Sequence, residues 1–490
     1  INEIIKKNGI TYGILTGVFS AVFTATIYAV NINLFTSLWL GLSSIAFYLI
    51  ISIVLLSKTK KEFKGHFSFK EAFTTYFICS LIGIFIGTTF NILLFNVIDP
   101  SAQDTVKELT IKSAVKTMQK FDAIRPYYDA EVNDAIKASC DHPMMKALMN
   151  FTYPELEDNE WKEQLKKTHS IRDFQCNFIY KSIQRVLKTT SDGLSTSGFE
   201  TLEKNTSYLF ISNHRDIILD TSLLNAALFE HGLVMTASAI GDNLVKKSFL
   251  LTLSKLNRNF VVQRGLAPRE LLQSSKLMSE YIGQLLLREN RSVWIAQREG
   301  RTKDGNDATH TGVLKMLGMG SDEKELTDYF KKLKIVPVSI SYEYDPTDAL
   351  KMPQLMAEMN NEIYIKEKNE DFTTLLSGIM GPKKRIHIHI GKVLNTELDD
   401  IKTEFDNGNK QIQALAQVID QSILKSYKLW PTNYIAFDIL NNTNQYVQHY
   451  TEDEKAIFIK RLEKRIDASN DQMKESFLAM YANPVVNKSN

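Results

Sequence analysis

Along the first hundred residues, apolar positions run unbroken instead of recurring on one helical face or alternating as in a half-buried strand. No Asp, Glu, Lys or Arg occurs from Ile10 to Ser57, nor from Ala72 to Ile98. A hydrocarbon core is crossed by roughly 20 apolar residues. The two stretches therefore predict three spans, at about 10–30, 34–57 and 72–98, the first two joined by a hairpin at Asn31–Asn33. Uncharged runs of this length read as bilayer material, and Gly13, Gly17, Gly83 and Gly87 suit close packing between such helices. Residues 1–103 are thus read as a transmembrane domain with the lipid bilayer as its partner.

The pattern changes after Asp104. Polar, helix-forming residues at 104–125 predict an amphipathic connector, and Tyr127–Lys204 reads as mostly helical. Short β-rich runs then alternate with helical segments: Tyr208–Ser212, Leu233–Ala239, Phe260–Gln263, Ser292–Ala296, Ile335–Tyr342 and Ile386–Ile390, with a helix at Glu270–Leu287 among those between them. Such alternation predicts an α/β domain, a mixed sheet flanked by helices, over 126–400. Residues 401–490 read as a polar, helical C-terminal extension. No internal repeat or low-complexity tract interrupts the chain.

Composition narrows the classes. The 490 residues carry 58 Lys+Arg against 56 Asp+Glu, a net charge of +2. No global field favours nucleic acid, and any phosphate recognition is local. Cys79, Cys140 and Cys176 are too few and too scattered for a disulfide framework or a metal cluster, which places the soluble part in a reducing compartment. The opening residue is Ile1 rather than Met, as expected of a fragment or a processed chain, and no signal-peptide cleavage pattern is evident.

Candidate chemistry concentrates at strand ends. Tyr208–Ser212 runs into Asn213 and His214, and a helical pattern starts near Ile217. Asp216 suits the helix N-cap, and Asp220, within the helix, can fold back over the turn. A carboxylate that holds one imidazole nitrogen fixes the tautomer in which the other accepts a proton from a hydroxyl, a general base without a protein nucleophile. Two further runs end on basic residues, Arg264 in one case and Arg298, Glu299, Gly300, Arg301 and Lys303 in the other, where charge-assisted hydrogen bonds can hold a phosphate. Pro337 interrupts the apolar run Ile335–Tyr342 and is expected at a strand start or a pocket wall. His387 and His389 alternate on one strand, but two histidines make no zinc site, and no metal is assigned.

The order of these pieces resembles the glycerolipid acyltransferases, especially the glycerol-3-phosphate acyltransferase branch, over roughly 121–427. In that family a His is followed five residues later by an Asp. Here His214 matches, but position 219 is Leu, so its partner is Asp220 or, as the rival, Asp216. Asn259–Arg264 resembles the family's second block, with Asn257 and Arg258 where Gly is usual. Glu299, Gly300, Arg301 and Thr302 resemble the third with a one-residue slip, and Val336, Pro337 and Val338 the fourth. The resemblance implies that His214 acts as base, that Arg264 and Arg301 hold the acceptor phosphate, and that Pro337 lines the acyl or acceptor pocket. Arg215, Arg298, Glu299, Gly300 and Lys303 join them as substrate-binding candidates.

What the resemblance implies is acyl transfer from a thioester, on acyl-CoA or acyl carrier protein, to a hydroxyl of glycerol 3-phosphate or 1-acylglycerol 3-phosphate in phospholipid biosynthesis, with no cofactor beyond that co-substrate. A membrane-tethered lipid-binding pseudoenzyme stands as one rival and an ester or thioester hydrolase using Ser212 as another, although no Gly-x-Ser-x-Gly elbow is present. The expected location is the inner membrane of a bacterial cell, with the catalytic domain at the cytoplasmic face. Yet Lys6 and Lys7 share a side with Lys58, Lys60, Lys61, Lys64 and Lys70, which marks that side as cytoplasmic, and Lys107, Lys112 and Lys116 follow the third span. Three spans then lead outside. Residues 1 to about 120 also resemble an uncharacterised bacterial membrane domain whose fourth span has no counterpart here. An inverted orientation, a re-entrant span or a truncated membrane domain would each reconcile the two.

Overall fold

The three uncharged segments fold as long helices: α1 (Glu3–Val30), α2 (Leu38–Glu62) and α3 (Phe69–Leu93), the last extended to Ile98 by a π-helical turn. All three are long and apolar enough to cross a membrane. The computed structural model describes residues 2–63 and 67–489, without the side chains of Leu38 and residues 112–118. Lys64 and the side chains of Lys112 and Lys116, invoked above for orientation, lie outside the described residues.

Small residues bring α1 and α3 together. A Cβ added at Gly9, Gly13 or Gly17 would lie 2.9, 2.8 or 2.6 Å from Ile78, Ile82 or Ile86. From the other side, Gly83 and Gly87 receive Thr16 and Ser20. Nothing larger than hydrogen fits at these crossings. Asn8 ties α1 to α2, its Nδ2 donating to Thr59 Oγ1 at 3.2 Å and to Glu62 Oε2 at 2.9 Å. Large side chains such as Ile53, Ile84 and Phe85 project outward, as lipid-facing surface does. A fourth helix, α4 (Pro100–Gln119), starts at an N-cap from Asp99 and is polar.

The chain divides into two units, Ile1–Asp122 and Ala123–Asn490. The second holds a seven-stranded sheet in the order β1-β7-β6-β2-β5-β3-β4. Its strands are β1 (Ser191–Ser197), β2 (Leu209–Ser212), β3 (Thr236–Gly241), β4 (Asn259–Val262), β5 (Ser292–Ala296), β6 (Ile335–Tyr342) and β7 (Lys384–Ile390). Every neighbouring pair is parallel except β6–β7, so β1 and β7 run against the other five in a mixed sheet. One face packs Phe210, Trp294, Val336, Val338 and Ile388 against the helices Tyr180–Thr190 and Leu219–Glu230. The helices Pro268–Leu287 and Gly408–Ser426 contact β5 and β6.

Two departures from the sequence reading have simple causes. β1 lies inside the stretch read as mostly helical. Its sequence, SDGLSTS, is that of a half-exposed edge strand with little apolar alternation. Gly198 ends it at φ +83°, where an added Cβ would lie 2.0 Å from the Ile390 carbonyl oxygen, so only glycine fits. Pro337, expected at a strand start or pocket wall, is instead the third residue of the fully buried internal strand β6. The β6–β7 register ends at Val338↔Ile390, and the Pro337 carbonyl still accepts from Gly391 N at 2.9 Å. The N–H that proline lacks faces that ladder end, where little is forfeited.

Candidate active site

The site begins where β2 stops. Asn213, fully buried, continues the β2–β6 ladder with its side chain: Nδ2 donates to the Ile340 carbonyl at 2.9 Å and Oδ1 accepts from Ile340 N at 2.8 Å. This bidentate pairing replaces a main-chain rung and lets the backbone leave the sheet at His214. The imidazole meets the edge of the Trp294 ring at 5.4 Å between centroids, and the indole is held by donation from Nε1 to Ser212 Oγ at 2.9 Å. Ser212 Oγ in turn donates to the Asn213 carbonyl at 2.7 Å and is fully buried. A hydrolytic nucleophile at Ser212 is therefore not available at this site.

The choice between the two acids is settled by contact. His214 Nδ1 lies 2.8 Å from Asp220 Oδ2, which also accepts from the backbone N–H groups of Arg215 at 2.6 Å and Asp216 at 3.1 Å. Tyr342 donates its hydroxyl to Asp220 Oδ1 at 2.8 Å. With Oδ2 accepting on Nδ1, the imidazole carries a proton there and leaves Nε2 as the acceptor. Asp216 has the separate role of N-cap, its Oδ1 accepting from Ile218 N at 3.0 Å and Leu219 N at 2.8 Å. Burial and the neighbouring Asp220 raise the Asp216 pKa, and burial raises that of Tyr342 well above its ordinary value, with Asp220 adding to it.

His214 lines a cavity of about 760 Å³. Much of the wall is apolar, with Phe151, Ile183, Ile240, Leu253 and Met278 among its residues, while Arg264, Arg298, Glu299, Gly300, Arg301 and Lys303 line it as well. Arg298 Nε is buried with no hydrogen-bond partner among the described residues. Arg301 Nη1 donates to Thr347 Oγ1 at 3.4 Å. Lys303 forms no ion pair among the described residues, and burial, with Arg301 beside it, pushes its pKa down to about 8. Arg264 is paired with Glu299. Such crowded, under-paired cations suit an anion.

Two of the substrate-binding candidates fall outside the cavity lining, as do the two acids Asp216 and Asp220. Pro337 is not among the lining residues, because β6 is covered on both faces. Arg215 turns away from the cavity and is buried, donating from Nη2 to Asp307 Oδ2 at 2.5 Å and lying over the Tyr427 ring. Asp307 also accepts from Thr302 Oγ1 at 2.7 Å, and Thr302 N donates to the His214 carbonyl at 2.9 Å. The third block thus braces the first from beneath. Lys351 completes the brace by pairing with Asp345 and donating to the Arg215 carbonyl. Asn213, Tyr342, Asp307 and Lys351 were not singled out by sequence. Asn213 alone had a local signal, as the residue joining the strand to His214. His387 and His389 bond Ser195 and Ser197 at the β1–β7 edge, remote from His214 along the sheet.

A histidine–carboxylate pair at a strand-to-helix turn, opening on an apolar cavity with clustered cations, is an arrangement that can accept a proton next to a bound anion. The chain carries an acyltransferase domain: residues 194–341 match the Acyltransferase family model, a segment that starts in β1, ends in β6 and contains all four blocks. Residues 11–154 match the DUF4199 family of proteins of unknown function, past the boundary between the two units. No curated protein matches the chain. Among solved structures, it resembles the 1-acyl-sn-glycerophosphate (LPA) acyltransferase PlsC from Thermotoga maritima at 12% identity and a TM-score of 0.30, over 61% of this chain and 96% of that one.

Proposed function

We propose that the protein transfers a fatty acyl group from a thioester, on acyl-CoA or acyl carrier protein, to a hydroxyl of glycerol 3-phosphate or 1-acylglycerol 3-phosphate. The observation that carries this reading is the His214–Asp220 pair, 2.8 Å apart, in a cavity lined by apolar side chains and by Arg298, Arg301 and Lys303. His214 Nε2 takes the acceptor hydroxyl proton as the oxygen attacks the thioester carbonyl. The tetrahedral adduct collapses with cleavage of the C–S bond, and the imidazolium returns the proton to the departing thiolate. Asp220 stabilises the imidazolium and holds its ring. Arg298, Arg301 and Lys303, with Arg264 released from Glu299, hold the phosphate and so orient the hydroxyl, an effect that lowers barriers by several kcal/mol. Written so, the reaction balances without a metal or redox cofactor.

The test is purified full-length protein with a labelled acyl thioester and a panel of glycerophosphate acceptors, beside His214→Ala. A loss of about 10²–10⁴-fold in acyl transfer is expected of the variant. Undiminished transfer would overturn the mechanism, and thioester cleavage with no acylated acceptor would replace transfer by hydrolysis. Placement of this domain at the cytoplasmic face of the inner membrane belongs to the same proposal. It is tested by the accessibility of Cys176, the one cysteine that is not fully buried, to an impermeant thiol reagent in sealed vesicles.

A further inference from the structure

The insert between β6 and β7 carries the most exposed isoleucines of the catalytic unit. Ile363 is 91% and Ile365 81% exposed. They do not sit on a loose loop, because the residues alternating with them are fastened: Tyr364 donates its hydroxyl to Glu370 Oε2 at 2.5 Å, and Lys366 Nζ bonds Asp371 Oδ1 at 2.6 Å. Tyr364 is half-buried and Lys366 lines the cavity, while the two isoleucines between and beside them face out.

The same arrangement recurs on both sides of this segment. On the helix Glu370–Met380, Leu375 and Ile379 line the cavity while Leu376 and Met380, one position on, are exposed. At the start of the helix Pro268–Leu287, Leu271 lines the cavity and both it and Leu272 are at least half exposed. Polar contacts join the two regions. Asn243 donates to Asp371 Oδ2 at 3.1 Å, and Gly241, two residues before it, abuts the side chains of Asn243 and Arg264, four residues from Pro268. Exposed apolar side chains therefore stand on both sides of the cavity margin, Leu271 and Leu272 on one and Ile363, Ile365, Leu376 and Met380 on the other, with the polar contacts of Asn243 and Asp371 between them.

Exposed apolar surface gathered at a cavity mouth is an interaction site. We infer that this rim is seated in the surface of a lipid bilayer, with Leu271, Leu272, Ile363, Ile365, Leu376 and Met380 dipping among the lipid chains. The bilayer is the occupant that the rest of the chain supplies, since the chain also contains three helices long and apolar enough to cross one. The charges nearest the two isoleucines, Glu362, Lys366, Glu367 and Lys368, are of both signs and balance, so the contact is apolar and needs no anionic headgroup. The rim's continuity with the cavity wall lets an acyl chain pass from bilayer to cavity without crossing water. That consequence rests on the acyl-transfer reading, whereas the docking does not.

The experiment places single cysteines at Ile363→Cys, Ile365→Cys and, as an exposed control on the helix Glu452–Arg465, Lys464→Cys, with Cys79, Cys140 and Cys176 replaced by alanine. Each is labelled with an environment-sensitive fluorophore in the full chain, reconstituted into phosphatidylcholine vesicles with or without bromine on the acyl chains. Blue-shifted emission and several-fold stronger quenching by brominated lipid at 363 and 365 than at 464 are expected, unchanged by salt. Water-like emission at all three overturns the proposal, as does a blue shift without quenching, which would mean that a protein covers the rim. As a second arm, the doubly substituted Ile363→Glu, Ile365→Glu protein is expected to lose at least severalfold in transfer to a long-chain acceptor held in vesicles. It should match the parent on a short-chain, water-soluble acceptor. Equal loss on both, or loss on neither, overturns it. A parent protein with no transfer at all would remove the acyl-transfer reading and leave the quenching result to stand.

Discussion

Tyr342 and Asp220 are 122 positions apart in sequence, and the tyrosine hydroxyl donates to Asp220 Oδ1 at 2.8 Å while His214 occupies Oδ2. Both residues are buried. The bond comes from the last residue of β6 and enters the first turn of the helix that follows His214, so the sheet itself sets the angle at which the carboxylate meets the imidazole. A carboxylate saturated by four donors holds one orientation, which a general base needs in its partner.

Removing the hydroxyl should separate positioning from chemistry. Tyr342→Phe leaves the ring and takes away one donor, and kcat is expected to fall by about tenfold, equivalent to a net hydrogen bond of ~1.4 kcal/mol, with KM for the acceptor unchanged. Asp220→Asn should cost far more, approaching ~10⁴ in kcat, because the amide can favour the wrong tautomer. Steady-state kinetics on both variants checks this. A rise in KM alone for Tyr342→Phe would show that the residue shapes the acceptor pocket instead.

Lys303 gives the pH dependence. With its pKa pushed down to about 8, it is charged at neutral pH and loses that charge as pH rises through about 8. Phosphate holding weakens in the same direction, so the acceptor KM should rise above pH 8 while kcat holds. Lys303→Arg keeps its charge and should flatten the rise, and Lys303→Met should raise KM by about 10–100-fold at neutral pH, the worth of a charge-assisted hydrogen bond. A KM that stays flat to pH 10 in the parent protein would exclude Lys303 from acceptor binding.

Asn213 carries a structural prediction. Asn213→Ala would leave the N–H and C=O of Ile340 buried without partners, at about 1–3 kcal/mol each. Thermal unfolding should shift downward, and Asn213→Asp, which cannot donate to the Ile340 carbonyl, should not restore it. Thermal melts of both variants against the parent protein decide the matter. An unchanged midpoint for alanine would mean that the β2–β6 ladder ends at Ser212.

Which parts of this site were legible in the sequence follows from the range of the interactions. His214, Arg264 and Glu299–Arg301 stand at the ends of apolar runs, so local pattern and block order pointed to residues that the fold brings to one cavity. Asp220 was preferred because it lies in the first helical turn over His214, and contact agrees. Arg215 and Pro337 were read as substrate-facing because residue type and block position suggested it. What turns Arg215 inward is Asp307, 92 positions away, and what buries Pro337 is a strand on each side. β1 was missed because a polar edge strand has no period to detect. The polar helices of 401–490 gave no hint that Tyr427 would cover Arg215 or that Arg461 and Tyr481 would bond Asp348 beside the Asp345–Lys351 pair. Such contacts exist only once the chain has closed on itself.

That buried network makes the last prediction. Arg215 and Asp307 are each almost wholly inaccessible, and their pair holds both the turn after His214 and the loop after β5. Burial raises the Asp307 pKa, opposed by Arg215, so an aspartate left without its arginine would tend to take up a proton. Removing one partner strands a charge in a low-dielectric interior, which costs about 3–5 kcal/mol. Arg215→Met should therefore melt at a markedly lower temperature, and the loss should be smaller at mildly acidic pH, where Asp307 is neutralised more readily. Arg215→Met with Asp307→Leu, apolar on both sides, should recover much of the lost stability. Acyl transfer should recover less, because Thr302 would lose the Asp307 oxygen that orients it under the His214 carbonyl. Full recovery of activity with stability would reduce the pair to packing and leave the placement of His214 to Asn213 and Asp220 alone.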